Sequence, residues 1–491
     1  MKTSEKLPQF FTNISSYAKN VILFFRRFSK RILLCLNHLR EFQSKKYAIV
    51  LAGIILILML IYTLQRADTS FVHDSLYYWQ FADDFVTDSF SFTNFSDGLR
   101  GYFFPFLLYL IKVQARWINL EAKLLFFGYS AFFFTLLSIY IIPWAFNNIF
   151  RWRISLFGRL LIAIFIFYFW RGHFLYPLSD FPAFTSLLIG VALLAKSFRS
   201  ERVSYLSILT GFFIGAALNI RPVYLASFML ILPFLVVQIY RLRIYKGVTW
   251  FLLVMLGFSL VLLPQLRINQ IYYKVNSPWV LARFTSDENL YEKQLFWGLK
   301  TQKYEANIGD NYHSIIVVYK DPVIEKLQKT NLLREKTFAR YIKIIKRFPL
   351  DISLSYFRHM FNGLDIFYST PYVKNIFVGH IFFSVVNYTI WFLVAFYFFR
   401  MDLSKLDIIK TLGLASFLAP VILAIPIVVE VRFFLPAYLM AYGVVSFDFN
   451  FVRSLRSLFH TPWNVLRLLI AYAFWLLFCF TMSTATIENL V

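Results

Sequence analysis

Apolar residues along this chain come in long unbroken blocks, and polar residues gather between them. Blocks such as 47–64 and 463–481 carry roughly twenty residues, enough for a helix to cross a bilayer core of about 30 Å. The pattern predicts spans at 47–64, 122–146, 155–170, 178–197, 204–220, 222–240, 248–265, 379–399, 409–428, 432–449 and 463–482. One further block, "GYFFPFLLYLIKVQARWINL" at 101–120, is broken by Lys112 and Arg116. Residues 17–43 alternate apolar and basic positions, as a helix lying on a membrane surface does. The longest polar stretch, 266–378, predicts one or two amphipathic helices within 321–347 and another over "FPLDISLSYFRHMF". No internal repeat of fixed period stands out.

Charge orients the blocks. The leader before Tyr47 holds ten Lys and Arg, which places the N-terminus in the cytoplasm and residues 65–121 outside. If 101–120 lies on the membrane as an interfacial helix, "NNIFRWR", "KSFRSER", "RLRIYKG", "RMDLSKLDIIK" and "FVRSLRS" all fall on the cytoplasmic side. If it spans, nearly all of them fall outside. The surface reading satisfies the rule. The expected fold is therefore an all-α polytopic membrane protein of about eleven transmembrane helices. Its first external loop, 65–121, bears interfacial helices, and a long external loop separates spans seven and eight. The chain divides into a basic amphipathic leader (1–46), a membrane module (47–265), a partly helical external region (266–378) and C-terminal membrane helices (379–491).

Composition agrees: 59% of residues are hydrophobic and 15% charged, more apolar surface than a soluble domain of 491 residues buries. The formal charge of +24 suits cytoplasmic loops beside anionic lipid, and no basic soluble domain is present to hold nucleic acid. Cys35 and Cys479 lie far apart in apolar segments, which offers neither a disulfide framework nor metal-ligand spacing. The first apolar span begins only near Tyr47, so no cleavable signal peptide is expected. The Lys-, Ile- and Phe-rich composition resembles that of AT-rich bacteria and favours a bacterial plasma membrane.

In so basic a chain, residues 69–90 collect Asp74, Asp83, Asp84 and Asp88 without one Lys or Arg. Other polar residues near span ends fall on the same expected external side: His73, His173 and Asp180, Asn219 and Arg221, Glu430 and Arg432. Ionisable groups at the hydrocarbon boundary are costly, and a shared cavity is one reason to keep them. Plainer roles are open to each. Arg221 and Arg432 can snorkel to headgroups, Asp180 and Glu430 can pair with neighbouring arginines, and His173 can serve as an interfacial hydrogen-bonding residue. Asp83, Asp84 and Asp88 can form a solvated face. If 74–88 is one helix, Asp74, Tyr77, Tyr78 and Phe81 share a face, while Asp83 points away and Asp84 lies about 15 Å along the axis.

This order of features resembles the GT-C superfamily of integral membrane glycosyltransferases. The resemblance rests on the first span followed by "HDSLYYWQFADDF", a surface helix with "RGYFFPFLLYLI", "YPLSDFPAFTSLLIGVALL", a long external loop after the seventh span, and late "EVRFFLPAYL". The layout is similar to that of protein O-mannosyltransferases and aminoarabinose transferases. It implies a catalytic aspartate in the first external loop, here Asp74, and a polyprenyl-phosphate sugar donor. Many such enzymes carry Asp-Glu at this position, whereas Asp74 is followed by Ser75.

The expected function is inverting transfer of a sugar from the lipid-linked donor to an acceptor hydroxyl at the external face. The acceptor is a glycan, lipid or protein. Asp74 acts as base, and Arg432 and then Arg221 hold the donor phosphate. His73, Tyr77, Asp84, His173, Asp180, Arg358, His359 and Glu430 are candidate donor or acceptor contacts. The leaving group's phosphate can be neutralised by arginine, so the chemistry requires no cofactor, and a divalent metal is not indicated. Two alternatives are a lipid-linked glycan polymerase or ligase and, from another class, a lipid or small-solute transporter or flippase. A transporter favours charges in mid-span and paired halves.

Overall fold

In a computed structural model, residues 45–85, 95–200, 205–242, 244–283, 289–310, 312–330, 333, 336–376, 381–401, 407–448 and 462–490 are described. The surface helix expected at 17–43, Cys35, Asp88 and the "FVRSLRS" loop lie outside these residues.

Apolar blocks become helices because in hydrocarbon every backbone N–H and C=O must be satisfied within its own segment. In chain order they are α1 (Lys45–Leu64), α2 (His73–Phe81), α3 (Phe103–Trp117), α4 (Ala122–Phe150) and α5 (Leu156–Trp170). Next come α6 (Asp180–Ser200), α7 (Leu206–Ile220), α8 (Leu225–Arg241) and α9 (Ile244–Ile268). Between α9 and the later membrane helices stand α10 (Leu290–Gly298), α11 (Val323–Gln328), α12 (Phe338–Arg347) and α13 (Pro349–Gly363). The chain closes with α14 (Ile381–Arg400), α15 (Ile408–Ala424), α16 (Leu435–Gly443) and α17 (Pro462–Ile487). Among the described residues, eight helices are long and apolar enough to cross a membrane, while Leu206–Ile220 and Ile408–Ala424 are shorter.

Two of these helices pack backbone against backbone. A Cβ on Gly211 would stand 1.8 Å from the carbonyl oxygen of Val254, and one on Gly257 would stand 1.8 Å from that of Ile208. Small residues are what allow α7 and α9 to approach this closely. Above this contact Asn219 of α7 donates to Gln265 of α9 at 2.9 Å.

The helix α3 is 15 residues, about 22 Å long, and carries Lys112 and Arg116 within its apolar run. Lys112, which breaks its apolar run, is buried. Its Nζ donates to the Trp79 carbonyl at 2.7 Å and to Asp83 at 2.8 Å, and lies 4.4 Å from the Trp79 ring centre. The interruption is thus a tie between α3 and the end of α2.

Residues 266–378 hold the helices expected there, and also a sheet that the sequence pattern does not announce. The strands are β1 (Thr301–Asn307), β2 (Ile316–Lys320) and β3 (Tyr372–Val373), in the order β2-β1-β3. β1 runs antiparallel to β2 and parallel to β3. The fully buried face of "TQKYEAN" is made by the polar Thr301, Lys303, Glu305 and Asn307, so no apolar alternation marks it.

A single helix over 74–88 does not form. α2 ends at Phe81, and Asp83–Phe85 turn in a 3-10 helix that delivers Asp83 to Lys112.

Candidate active site

The ends of five elements meet at one end of the bundle. Asp74 is the second residue of α2, and Asp180 the first of α6. Arg221 follows the last residue of α7 because Pro222 forces it into extended backbone, φ −139° and ψ 110°. Glu430 and Arg432 sit in the non-α-helical stretch between α15 and α16. That stretch is clipped to β1, where the Tyr304 N–H donates to the Val429 carbonyl at 3.1 Å. The opposite end of the bundle is marked by Arg199, whose guanidinium caps the carbonyls of Asn148 and Ile149 at the end of α4.

Asp74 is gripped by two guanidiniums. Arg100 Nη2 reaches Oδ1 at 2.6 Å, and Arg432 Nη2 reaches Oδ2 at 2.8 Å. Arg432 also sets its Nε 2.7 Å from Glu430 Oε2 and its Nη1 3.9 Å from Asp180 Oδ2. Asp180 is buried and pairs through Oδ1 with Arg221. Tyr304 donates its hydroxyl to Glu430 at 2.5 Å. Asp97 stands 3.4 Å from Arg100 Nη1 and turns the loop by accepting from the Leu99 N–H at 2.9 Å. Four carboxylates therefore share three guanidiniums. Burial acts to raise the Asp74 pKa, but Arg432 and Arg100 outweigh it and hold the carboxyl well below the usual carboxylate range. For the Tyr304 hydroxyl, burial and the Glu430 carboxylate both push its pKa well up.

The local frame explains why Asp74 points here. His73 adopts a left-handed backbone, φ 48°, and its Nε2 lies 3.3 Å from the Asn307 carbonyl at the end of β1. Ser75 is fully buried: its hydroxyl donates to the Val72 carbonyl at 2.5 Å, and its N–H donates to the Tyr372 hydroxyl at 3.1 Å. The residue after Asp74 is thus used to start the helix, and the other acids beside Arg432 come from α6 and from the stretch before α16. Tyr77, Tyr78 and Phe81 do share a face, over which the Arg100 guanidinium lies 5.4–6.0 Å from the ring centres.

Of the residues singled out from sequence, Asp74, Arg432, Arg221, Asp180 and Glu430 join one cluster, and Tyr77 stacks beside it. His173 is buried against Trp170, ring centres 4.9 Å apart, and lines a chamber of about 20 Å³ with Glu305, Glu430 and Arg432. His73 serves as a strut rather than a cluster member. Among the described residues no ion pair links Asp84 to the cluster; burial and the charges of Asp83 and Asp97 raise its pKa. Arg358 and His359 are engaged elsewhere. Arg358 forks onto Asp321 at 2.6 and 3.1 Å, and His359 Nδ1 lies 2.8 Å from the Ile425 carbonyl. Arg100 and Tyr304 were not picked out from sequence. A signal for Arg100 exists: it is the sole Lys or Arg between Arg66 and Lys112, in a turn next to Gly101.

On the far side of Arg432 a cavity of about 490 Å³ opens between α8, α10 and α15. Met229, Leu423 and Ile427 give it apolar walls, and Arg432, Arg221 and Asp180 form its polar end. An apolar tail carrying one anionic group matches that division.

Two expectations follow from the geometry. A Cβ on Gly101 would meet the Asn219 carbonyl oxygen at 1.9 Å and its side-chain oxygen at 2.4 Å. Gly101→Ala should therefore cost about 1–3 kcal/mol and push the Arg100 turn off Asn219, lowering the midpoint of thermal unfolding. Acid unfolding tests the Asp74 pairs. Because the folded carboxyl is depressed, its stabilisation is present above the unfolded pKa of about 4 and is lost as pH falls below it. The difference in unfolding midpoint between wild type and Asp74→Asn should hold steady above about pH 5 and shrink below about pH 4. A difference that grows on acidification would contradict the assignment.

The chain matches no protein-family model and no curated protein.

Proposed function

We propose that this protein is an inverting membrane glycosyltransferase that moves a sugar from a polyprenyl-phosphate donor to an acceptor hydroxyl. The observation that carries the reading is the meeting of Asp74 with an arginine, Arg432, that also forms the polar end of an apolar-walled cavity. The lipid tail lies along that cavity, and its phosphate lies at Arg432 and Arg221. Asp74 takes the proton of the acceptor hydroxyl as its oxygen attacks the anomeric carbon from the face opposite the phosphate. The bond from that carbon to the phosphate oxygen breaks, its electron pair stays with the phosphate, and the guanidiniums stabilise the charge that develops. Glu430 and Tyr304 fix the Arg432 guanidinium for that work.

In this reading α7, α15 and the helical stretch 431–448 that contains α16 cross the membrane along with the eight longer helices, giving about eleven spans. The bilayer is a bacterial plasma membrane, the N-terminus is cytoplasmic and the Asp74 end is external. The acceptor is a glycan, lipid or protein. Native mass spectrometry of the gently purified protein tests the donor class. A co-purifying polyprenyl phosphate, with or without a sugar, supports it. Ordinary phospholipid alone, even after polyprenyl phosphate is added, removes it.

A further inference from the structure

The site already holds more carboxylates than guanidiniums. Asp74, Asp97, Asp180 and Glu430 face Arg100, Arg221 and Arg432, and each guanidinium has a carboxylate within 3.4 Å. An anion gripped at two points by Arg432 must therefore take an N–H that a carboxylate already holds. Geometry selects which one. The Arg432 Nε edge faces Glu430, its neighbour two residues back in the chain, in an ion pair at 2.7 Å. Its Nη1 stands 3.9 Å from Asp180, beyond hydrogen-bonding range, and its Nη2 is bonded to Asp74 Oδ2. The Nη1–Nη2 fork is the edge that grips an oxyanion with two parallel bonds, and Arg432 lines the cavity. Arg100 does not line it; it is held by Asp97 and by the rings of Tyr77, Tyr78 and Phe81.

We propose that a phosphate-bearing lipid competes with Asp74 for the Arg432 fork, so that its arrival frees Asp74 Oδ2 while Arg100 keeps Oδ1. This rests on the function proposed above and adds a coupling to it. The base is masked while the cavity is empty and exposed by the group whose bond is about to break. Asp74 is an internal stand-in for the phosphate. With one guanidinium removed its carboxylate becomes more basic, and the remaining Arg100 bond keeps it aimed.

The test measures farnesyl phosphate binding to the full chain in nanodiscs, with farnesol as the uncharged control. Removing the competitor in Asp74→Asn should tighten farnesyl phosphate binding about tenfold. Arg432→Lys keeps the charge but has no fork, so adding Asp74→Asn in that background should tighten binding less than about twofold. Equal tightening in both backgrounds reports plain charge repulsion and overturns the competition, as does no tightening in either. Farnesyl phosphate that binds no better than farnesol to wild type or any variant overturns the phosphate site itself, and the proposed function with it. A readout on wild type alone guards against a variant that fails to fold. Farnesyl phosphate should shift a carboxylate stretch in the infrared difference spectrum, and an unmoved carboxylate region overturns the exchange.

Discussion

Asp74→Asn should lower sugar transfer by about 10²–10⁴-fold, the usual worth of a positioned general base, while the lipid phosphate still binds. The amide keeps the shape of the carboxylate and can still accept from Arg100 or Arg432, but it cannot take a proton at neutral pH. The loss should therefore appear in kcat rather than in KM for the donor. Tyr78, beside Asp74 and bonded to Ser179 at 3.0 Å, makes a useful contrast. Tyr78→Phe removes a buried hydroxyl near the site without touching the base, and should retain most transfer. Transfer by Asp74→Asn within a few-fold of wild type would take the base assignment away, because no other carboxylate in the cluster meets Arg100 and Arg432 together.

Arg432→Ala should damage both folding and ligand binding. It strips the shared partner from Asp74, Asp180 and Glu430, and an uncompensated buried charge typically costs about 3–5 kcal/mol. The measurement is a thermal unfolding scan in detergent beside a farnesyl phosphate titration. Part of the stability should return in Arg432→Ala combined with Glu430→Gln, which removes one of the stranded charges. Binding should not return, since the fork is still missing. An Arg432→Ala protein with wild-type affinity for farnesyl phosphate would place the phosphate elsewhere.

The sequence made some parts of this arrangement visible and hid others for a physical reason. Asp74, Asp180, Arg221, Glu430 and Arg432 stand at the margins of apolar blocks, where a charge is expensive and so conspicuous. Tyr304 stands in polar surroundings, where a hydroxyl costs nothing and carries no signal of its own, and Arg100 is marked only by its isolation between Arg66 and Lys112. Only the folded chain brings them to Asp74 and Glu430. The same blindness works in reverse for Arg358 and His359, which rank behind Arg432 and Arg221 in sequence as candidate contacts and are spent on Asp321 and on the Ile425 carbonyl. Helix boundaries followed the apolar blocks closely because the backbone has few alternatives in hydrocarbon. The small sheet escaped because the buried face of "TQKYEAN" is polar, Thr301, Lys303, Glu305 and Asn307, so burial there leaves no apolar alternation.

The close approach of α7 to α9 has a consequence for chemistry some distance away. Gly211 and Gly257 let each helix touch the other's carbonyl track, which fixes their relative height as a machined shoulder fixes a shaft. Asn219 rides on that datum, and its side-chain oxygen receives the Phe103 N–H at 2.9 Å while its carbonyl leaves no room for anything but glycine at position 101. Arg100 is the next residue along. A methyl group added at either helix contact would be read out as an alignment error of a fraction of an ångström between a guanidinium and the carboxylate it steers. Proton transfer tolerates little of that, so these glycines belong to the precision of the site although neither one touches it.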